Sequence, residues 1–300
     1  MFPPLDGGGS VVGPGCLLWR AERPQMLELA IIHKTERGFT RLVILGHTGS
    51  ITLEAIRWLR DAGVTLVQID ADARTARVQP GVRNLAISEA AAPHGLYYAP
   101  DPSSQIACTI GGNVAENSGG VHCLKYGLTV HNILQLRIVT PEGELLTIGS
   151  EALDSPGYDL MALLTGSEGM LGVVVEVTVR LLPRPEQAQV MLAAFDDVGK
   201  AGAAVGAVIA EGVIPGGLEM MDNLAIRAAE DFAHAGYPVE AAAILLCELD
   251  GTREEVAEQV TRVTRILEHH GATELRLARD EAERALFWKG RKSAFPAVGR

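Results

Sequence analysis

The sequence predicts an α+β protein of two domains behind a short N-terminal β-α-β segment. Three observations carry that expectation. Residues 187–300 alternate strand-like and helix-like stretches regularly, Pro183 and Pro185 fall where the preceding pattern ends, and charge is distributed unevenly. Residues 1–74 hold 8 Lys/Arg and 8 Asp/Glu, whereas residues 75–300 hold 18 and 29 and carry the whole net charge of −11. Such a step separates segments of different character. The divisions expected are therefore 1–74, 75–186 and 187–300.

Each element follows from local pattern. Leu42–Leu45 is a short apolar strand, Ser50 a helix N-cap, and Leu53, Ile56, Trp58 and Leu59 recur at helical spacing before Val64–Ile69 returns as a strand. Arg77–Pro80 reads as extended, Asn84–Ala92 as helical, and Ile106–Gly120 as a loop. A hairpin is expected from Leu134–Thr140 and Glu144–Ile148 around Pro141-Glu142-Gly143, because proline presets φ at the second turn position. Tyr158–Leu164 reads as a short helix. In Gly172–Leu182, Val173, Val175, Val177, Val179 and Leu181 alternate onto one face, the mark of a half-buried strand. Beyond the prolines come strand Val190–Phe195, helix Val198–Glu211, a turn at Pro215-Gly216-Gly217 and a helix near Asn223–His234. Strand Ala243–Leu249, helix Thr252–His269, strand Ala272–Leu277 and helix Asp280–Gly290 complete the alternation. Val256, Val260, Val263 and Leu267 form the buried stripe of the long helix. Two β-α-β style units on one sheet are the expected architecture.

Composition narrows the function. The chain is 47% hydrophobic with 33 glycines but only 6 Phe, 5 Tyr and 3 Trp, which favours aliphatic cores and backbone that bends closely round something. The net charge of −11 argues against general affinity for nucleic acid or anionic membrane surfaces. Cys16, Cys108, Cys123 and Cys247 are too widely spaced for a disulfide framework or zinc cage, which fits a reducing cytoplasmic setting. Met1–Gly15 lacks the basic and apolar regions of a signal peptide. The longest uncharged apolar run, about Ala201–Ala210, falls short of the roughly 20 residues a membrane helix needs.

The chemistry-bearing stretch is PDPSSQIACTIGGNVAENSGG, Pro100 to Gly120. Closely spaced glycines let backbone N–H groups face an anion, and asparagine tolerates left-handed φ while offering amide bonds, so a pyrophosphate is the expected guest. An ordinary turn has the same composition. Gly166-Ser167-Glu168-Gly169-Met170-Leu171-Gly172 is a second such loop, and neither matches the Rossmann or P-loop spacing. His122 beside Cys123, and His269-His270, lack a third ligand at metal spacing. Asp196-Asp197 and Glu254-Glu255 read as helix N-terminal charges. Glu219 and Asp222 in GLEMMD read as packing or capping residues rather than catalytic ones.

These motifs, with HCLKYGLTVHN, TGSEGMLGVVVEVTVRLLPRPE, PGGLEMMDNLAIRAAEDFAHAGYP and DEAERALFWKGRKSAFPAVGR, resemble the vanillyl-alcohol-oxidase (PCMH-type) FAD-binding family, in its glycolate-oxidase branch, over residues 75–300. The resemblance implies a PCMH-type FAD-binding domain followed by a ferredoxin-like α/β cap domain, both incomplete. It implies FAD as cofactor and oxidation of a 2-hydroxy acid, glycolate or D-lactate, by hydride transfer to the flavin. Pro100, Asp101, Ser103, Gly111, Gly112, Asn113, Asn117, Gly119, Gly120 and Gly127 would line the flavin and its phosphates. Gly169, Gly172 and Val173 would close the far side. Arg291 would clamp the substrate carboxylate, where a bidentate fork fits, although an exposed cation at a helix end looks the same in sequence. A second flavoprotein and an iron–sulfur subunit are the implied partners, with no nucleic acid, no membrane span and no metal. The implied location is cytoplasmic, with a peripheral position on the inner membrane face as the alternative.

Two departures qualify the resemblance. Residues 1–74 contain no Arg-Gly-x-Gly-Thr-rich loop, and Arg300 comes before the family's histidine- and glutamate-bearing motifs for metal and substrate, so a truncated form without catalytic base or metal site is expected. Residues 11–74, through VVGPGCLLW and RLVILGHTGSITLEAIRWLRDAGVTLVQIDADAR, instead resemble the N-terminal domain of the CRISPR-adaptation integrase family. A DNA-integrase fragment, or a non-functional chimeric fragment, is therefore the alternative.

Overall fold

A computed structural model describes residues 9–11, 17–19, 67–150 and 157–299. The strand and helix expected at Leu42–Leu45 and Ser50–Leu59 lie outside these residues. Strands β1 (Gly9–Val11) and β2 (Leu17–Trp19) pair antiparallel. The chain divides into two compact units, Met1–Ser118 with Leu128–Pro183, and Gly119–Gly127 with Arg184–Arg300.

The first unit is built on five antiparallel strands. They are β3 (Val67–Asp70), β4 (Thr75–Val78), β6 (Ile133–Val139), β7 (Leu145–Gly149) and β8 (Val173–Arg180), in the order β3-β4-β8-β6-β7. β5 (Leu96–Tyr97) and β9 (Leu182–Pro183) form a separate pair. The expected join at Arg74-Thr75 lies in the β3–β4 hairpin, where Arg74 takes a φ of 53°. β6 and β7 reproduce the expected hairpin, with the Gly143 amide bonded to the Thr140 carbonyl at 2.9 Å and Gly143 in the left-handed region. β8 is more buried than its valine alternation implies. Val177 and Val179 face the core, but Glu176 and Thr178 on the other face are also buried because neighbouring strands flank them on both sides. Arg137 and Arg77 lie 3.5 and 3.9 Å from the Glu176 carboxylate and compensate its burial.

Helix α1 (Asn84–Ala91) covers this sheet and inserts Ile87 and Ala91 into a core with Val78, Leu136, Val177 and Leu181. The segment expected as loop from Ile106 to Gly120 contains helix α2 (Ile110–Glu116). Ile110 and Val114 anchor it in the core, the Thr109 hydroxyl accepts the Gly112 N–H at 3.3 Å, and Asn117 ends it with a φ of 52°. The two apolar anchors stand four positions apart, a single helical repeat too short to register with two glycines between them. The remaining helices here are α4 (Thr129–Asn132) and α5 (Leu160–Leu164), the latter capped by Asp159.

In the second unit the strands β10 (Gln187–Phe195), β11 (Gly217–Asp222), β12 (Ala243–Gly251) and β13 (Ala272–Leu277) run in the order β11-β12-β10-β13, every pair antiparallel. That is the split β-α-β order of a ferredoxin-like sheet. The β-α-β crossovers are present, but another strand lies between the two that each connects. Helices α6 (Val198–Ala210) and α8 (Arg253–His269) bury Ala201, Ala204, Val263 and Leu267 against Met191, Ala193, Leu245 and Cys247. Helices α7 (Asn223–Ala233) and α9 (Glu281–Val298) cover the opposite face, against Leu192, Ile244 and Leu246. Burial on both faces explains the unbroken apolar run in β12. α8 starts with the capping box of Thr252 and Glu255, each side chain accepting the other's backbone N–H. α9 runs eight residues past its expected end at Gly290.

Candidate functional site

In the first unit, two buried asparagines tie the chemistry-bearing loops together. Asn84 is 1% exposed and Asn113 2%. The Asn113 amide donates to the Asn84 Oδ1 at 2.8 Å, and the Asn84 amide donates to the Pro100 carbonyl at 2.8 Å. This relay joins the start of the Pro100–Ser104 stretch to α2. The second glycine loop closes on the other end of the same helix, where the Gly166 and Glu168 amides donate to the Val114 and Ala115 carbonyls at 2.8 and 2.9 Å. Asn117 accepts the Val130 N–H at 3.0 Å through its side chain. Candidate residues from three separate stretches are thus brought together in one braced cluster.

Not every candidate residue has its side-chain identity explained by a ligand. Asn113 and Asn117 spend their amide groups on the framework. A Cβ on Gly111 would lie 2.7 Å from the Pro80 Cβ, so close packing alone requires glycine there, whereas one on Gly172 would lie 3.0 Å from the Ile138 Cδ1, a tight contact that only a small shift of that side chain relieves. Gly112 has only its own cap hydroxyl nearby, at 3.3 Å. Gly169 differs, with a φ of +75° and nothing within 4 Å of where a Cβ would point. Around it Met170 is 76% exposed, and on the Pro100 loop Ile106 is 66% exposed. Exposed apolar side chains beside glycine-rich backbone suit a ligand with flat rings and phosphates, so these loops fit FAD. Pro100 is buried, whereas Asp101 and Ser103 are more accessible.

The second unit carries Gly119, Gly120, Gly127 and Arg291. The glycines flank helix α3 (Cys123–Tyr126), whose Cys123 Sγ accepts the Gly120 N–H at 2.8 Å and whose end is closed by Gly127 at φ 79°. Arg291 on α9 directs Nε and Nη2 to a single Glu219 oxygen at 3.0 and 2.7 Å. Glu219 therefore holds the guanidinium, while Asp222 caps α7 by accepting the Ala225 N–H at 2.9 Å. Asp197 caps α6 in the same way, and Asp196 pairs with Lys200.

A constellation that no sequence motif singles out lies on β12. Glu248 is 4% exposed and accepts the Trp288 indole N–H at 2.5 Å, with Arg284 at 3.3 Å and His122 at 3.1 Å. Burial alone would raise the Glu248 carboxyl, but the hydrogen bonds and charge of His122, the Trp288 N–H and Arg284 together hold it below the usual carboxylate value. Asp250, equally buried, accepts Lys125 Nζ at 2.6 Å and the Tyr126 hydroxyl at 2.5 Å. The signal present in the sequence is two acids inside an apolar strand. Next to Glu248 on the opposite face of β12, the Cys247 thiol is pushed up to about 12 by burial, which makes it inert as a nucleophile. Among the described residues no group of three or more His, Cys, Asp or Glu is placed to hold a metal ion, and no helix is long and apolar enough to cross a membrane.

Comparison with known proteins accounts for both units. Residues 38–149 match the FAD binding domain family, and residues 184–300 match the family of FAD linked oxidases, C-terminal domain. The chain thus joins a segment that matches an FAD binding domain to one that matches the C-terminal domain of FAD linked oxidases.

Its similarity to glycolate oxidase subunit GlcD of Escherichia coli (strain K12) is 72% identity, covering 78% of this chain and 47% of that one. GlcD of Bacillus subtilis (strain 168) is 39% identical over 78% of this chain and 50% of its own. A D-lactate dehydrogenase of Anaerostipes hadrus is 30% identical over 74% and 48% respectively. The chain thus spans about half the length of the relatives it matches. Among solved structures, alkyldihydroxyacetonephosphate synthase shares the fold at a TM-score of 0.64 and 22% identity, covering 78% of this chain and 44% of that one. The FAD binding domain match runs through Arg74-Thr75, and these matches do not support the integrase reading of residues 11–74.

Proposed function

We propose that this chain supplies the flavin-holding region and part of the cap domain of an FAD-dependent 2-hydroxy-acid oxidoreductase acting on glycolate or D-lactate. The observation that carries the reading is the cluster built on α2, to which Asn84 and Asn113 tie the Pro100 loop and onto whose other end the Gly166 loop closes through backbone bonds. When bound, FAD would supply the acceptor for a hydride leaving the substrate α-carbon. The chain's own groups bind and orient. Backbone amides of Gly111, Gly112 and the loop at Gly169, with Pro100, Asp101, Ser103, Asn113, Asn117, Gly172 and Val173, are assigned to the cofactor. In the second unit Gly119, Gly120 and Gly127 are assigned to it by the same resemblance.

Arg291 is assigned to the substrate carboxylate. A guanidinium has five N–H donors, and two of them reach one Glu219 oxygen, so a carboxylate can be added without dismantling the pair. The proposed division places FAD binding in the chain up to residue 186, with residues 75–186 as its main part and the family match reaching upstream to residue 38, and the cap in 187–300. The E. coli relative is by name a subunit, and a second flavoprotein and an iron–sulfur subunit are proposed as the electron-accepting partners, in a cytoplasmic assembly. The decisive test is the visible spectrum of the purified chain before and after adding FAD, with a thermal melt. Flavin absorbance that survives gel filtration and a raised melting temperature are expected. Their joint absence overturns the reading.

A further inference from the structure

Two carboxylates buried within an apolar strand call for a physical reason. Each ion is costly to desolvate, and apolar replacements of such groups are often neutral or stabilising. Glu248 and Asp250 lie two residues apart on β12, on the face shared with Ile244 and Leu246. Trp288 and Arg284, one turn apart on α9, satisfy one side of Glu248. Every other side-chain partner shown for the two acids comes from Gly119–Gly127: His122 for Glu248, and Lys125 and Tyr126 for Asp250. Lys125 adds a bond to the Asp250 backbone carbonyl at 2.6 Å.

The match of repeats is physical. Residues i and i+2 of a strand stand roughly 6.5 Å apart, and residues three to four apart on a helix rise about 4.5–6 Å, so one turn of α3 spans the two acids. Small residues seat the segment. A Cβ on Gly217 would come within 2.8 Å of Val121 Cγ1, and one on Gly216 within 2.9 Å of the Asp250 Oδ1. The acids thus hold a segment that is remote in sequence, in a set shape, with Gly119 and Gly120 before the turn and Gly127 after it.

We propose that Glu248 and Asp250 are positioning residues for the cofactor, which hold the Gly119–Gly127 turn in the conformation its glycines need to meet FAD. The inference rests on the reading of those glycines as flavin contacts. The role needs no contact between the acids and the cofactor, since their side chains are already bonded to protein groups. They spare the turn the entropy of ordering itself on binding, so their effect falls on affinity and on the exchange of the turn's amides.

The test compares Asp250→Asn, Glu248→Gln and a control, Leu245→Ala, which disturbs the opposite face of β12. Hydrogen exchange on the chain without FAD, and FAD titration by flavin fluorescence, are read together. Both acid variants should speed amide exchange in residues 119–127 while leaving β10 protected, and weaken FAD binding by about tenfold, as expected when a hydrogen bond to a charged group is removed. Asp250→Glu should recover part of the affinity. Leu245→Ala should lower the melting temperature yet hold affinity within about twofold, since it removes core packing and leaves the turn's partners in place. Unchanged exchange in both acid variants overturns the positioning role. Affinity that falls equally in Leu245→Ala overturns it too, by showing a general loss of stability. Failure of the wild-type chain to bind FAD overturns instead the reading on which the inference rests.

Discussion

Asn84 and Asn113 are the two side chains on which the loops of the first unit depend, and neither can be shortened without stranding a buried partner. Asn113→Ala leaves the Asn84 carbonyl oxygen unsatisfied, and Asn84→Ala does the same to the Asn113 amide and the Pro100 carbonyl. Either change should cost about 1–3 kcal/mol, measured as a shift of the urea midpoint, and should weaken FAD binding as the loops separate. Arg291→Lys keeps the charge but removes the fork. Calorimetric titration with glycolate should show affinity lowered by about tenfold or more, the reduction expected when a charge-assisted paired interaction is removed. Glu248 makes a prediction in pH. Its carboxyl is held below the ordinary value in the folded chain, so the stabilisation is complete above the unfolded value of about 4.3 and disappears as pH falls through the lower folded value. Melting temperatures across that window should fall more steeply for the wild type than for Glu248→Gln.

At the scale of elements, caps and close approaches decide the outcome of substitutions. Thr252→Ala removes the hydroxyl of the α8 capping box and should cost about 1 kcal/mol in thermal unfolding. Gly290 in α9 tests two opposed effects. Alanine gains about 1 kcal/mol of helix propensity over glycine, yet its Cβ would lie 2.6 Å from the Ala235 Cβ and 2.5 Å from the Tyr237 hydroxyl. Overpacking of that kind costs about 1–3 kcal/mol, so Gly290→Ala should lower the melting temperature. The elements best read from sequence are those whose signal is local. α8 has its own cap and stripe, and β6 and β7 have their own turn chemistry. β11 has no comparable signal, because GLEMMD is short, mixes partly exposed and buried positions, and is held by its pairing with β12 rather than by alternation. α2 reads as loop since its glycines mask the helical repeat of Ile110 and Val114. The candidate site follows the same division. Its glycine loops stand out as composition, while the Asn84–Asn113 bond joins residues 29 positions apart and leaves no mark in either neighbourhood.

For the whole molecule, the consequence lies in the discontinuity of the second unit. Gly119–Gly127 belongs to it in space but precedes it by more than fifty residues in sequence. A fragment of residues 184–300 would lose the bonds that Lys125 and Tyr126 make to Asp250 and the packing of Val121 against the core of Leu192, Ile244 and Leu246. That fragment should unfold at a lower urea concentration than the same fragment with residues 119–127 joined to it, and replacing Glu248 and Asp250 by leucine should narrow the difference. No local pattern discloses such an arrangement. Lys125 and Asp250 are separated by 125 positions. On a ribosome adding about 5–20 residues per second, the turn emerges roughly 6–25 s before the strand that will hold it. During that interval its lysine, histidine and glycines stay in water with no fixed shape, so a strand made late sets the geometry of a segment made long before.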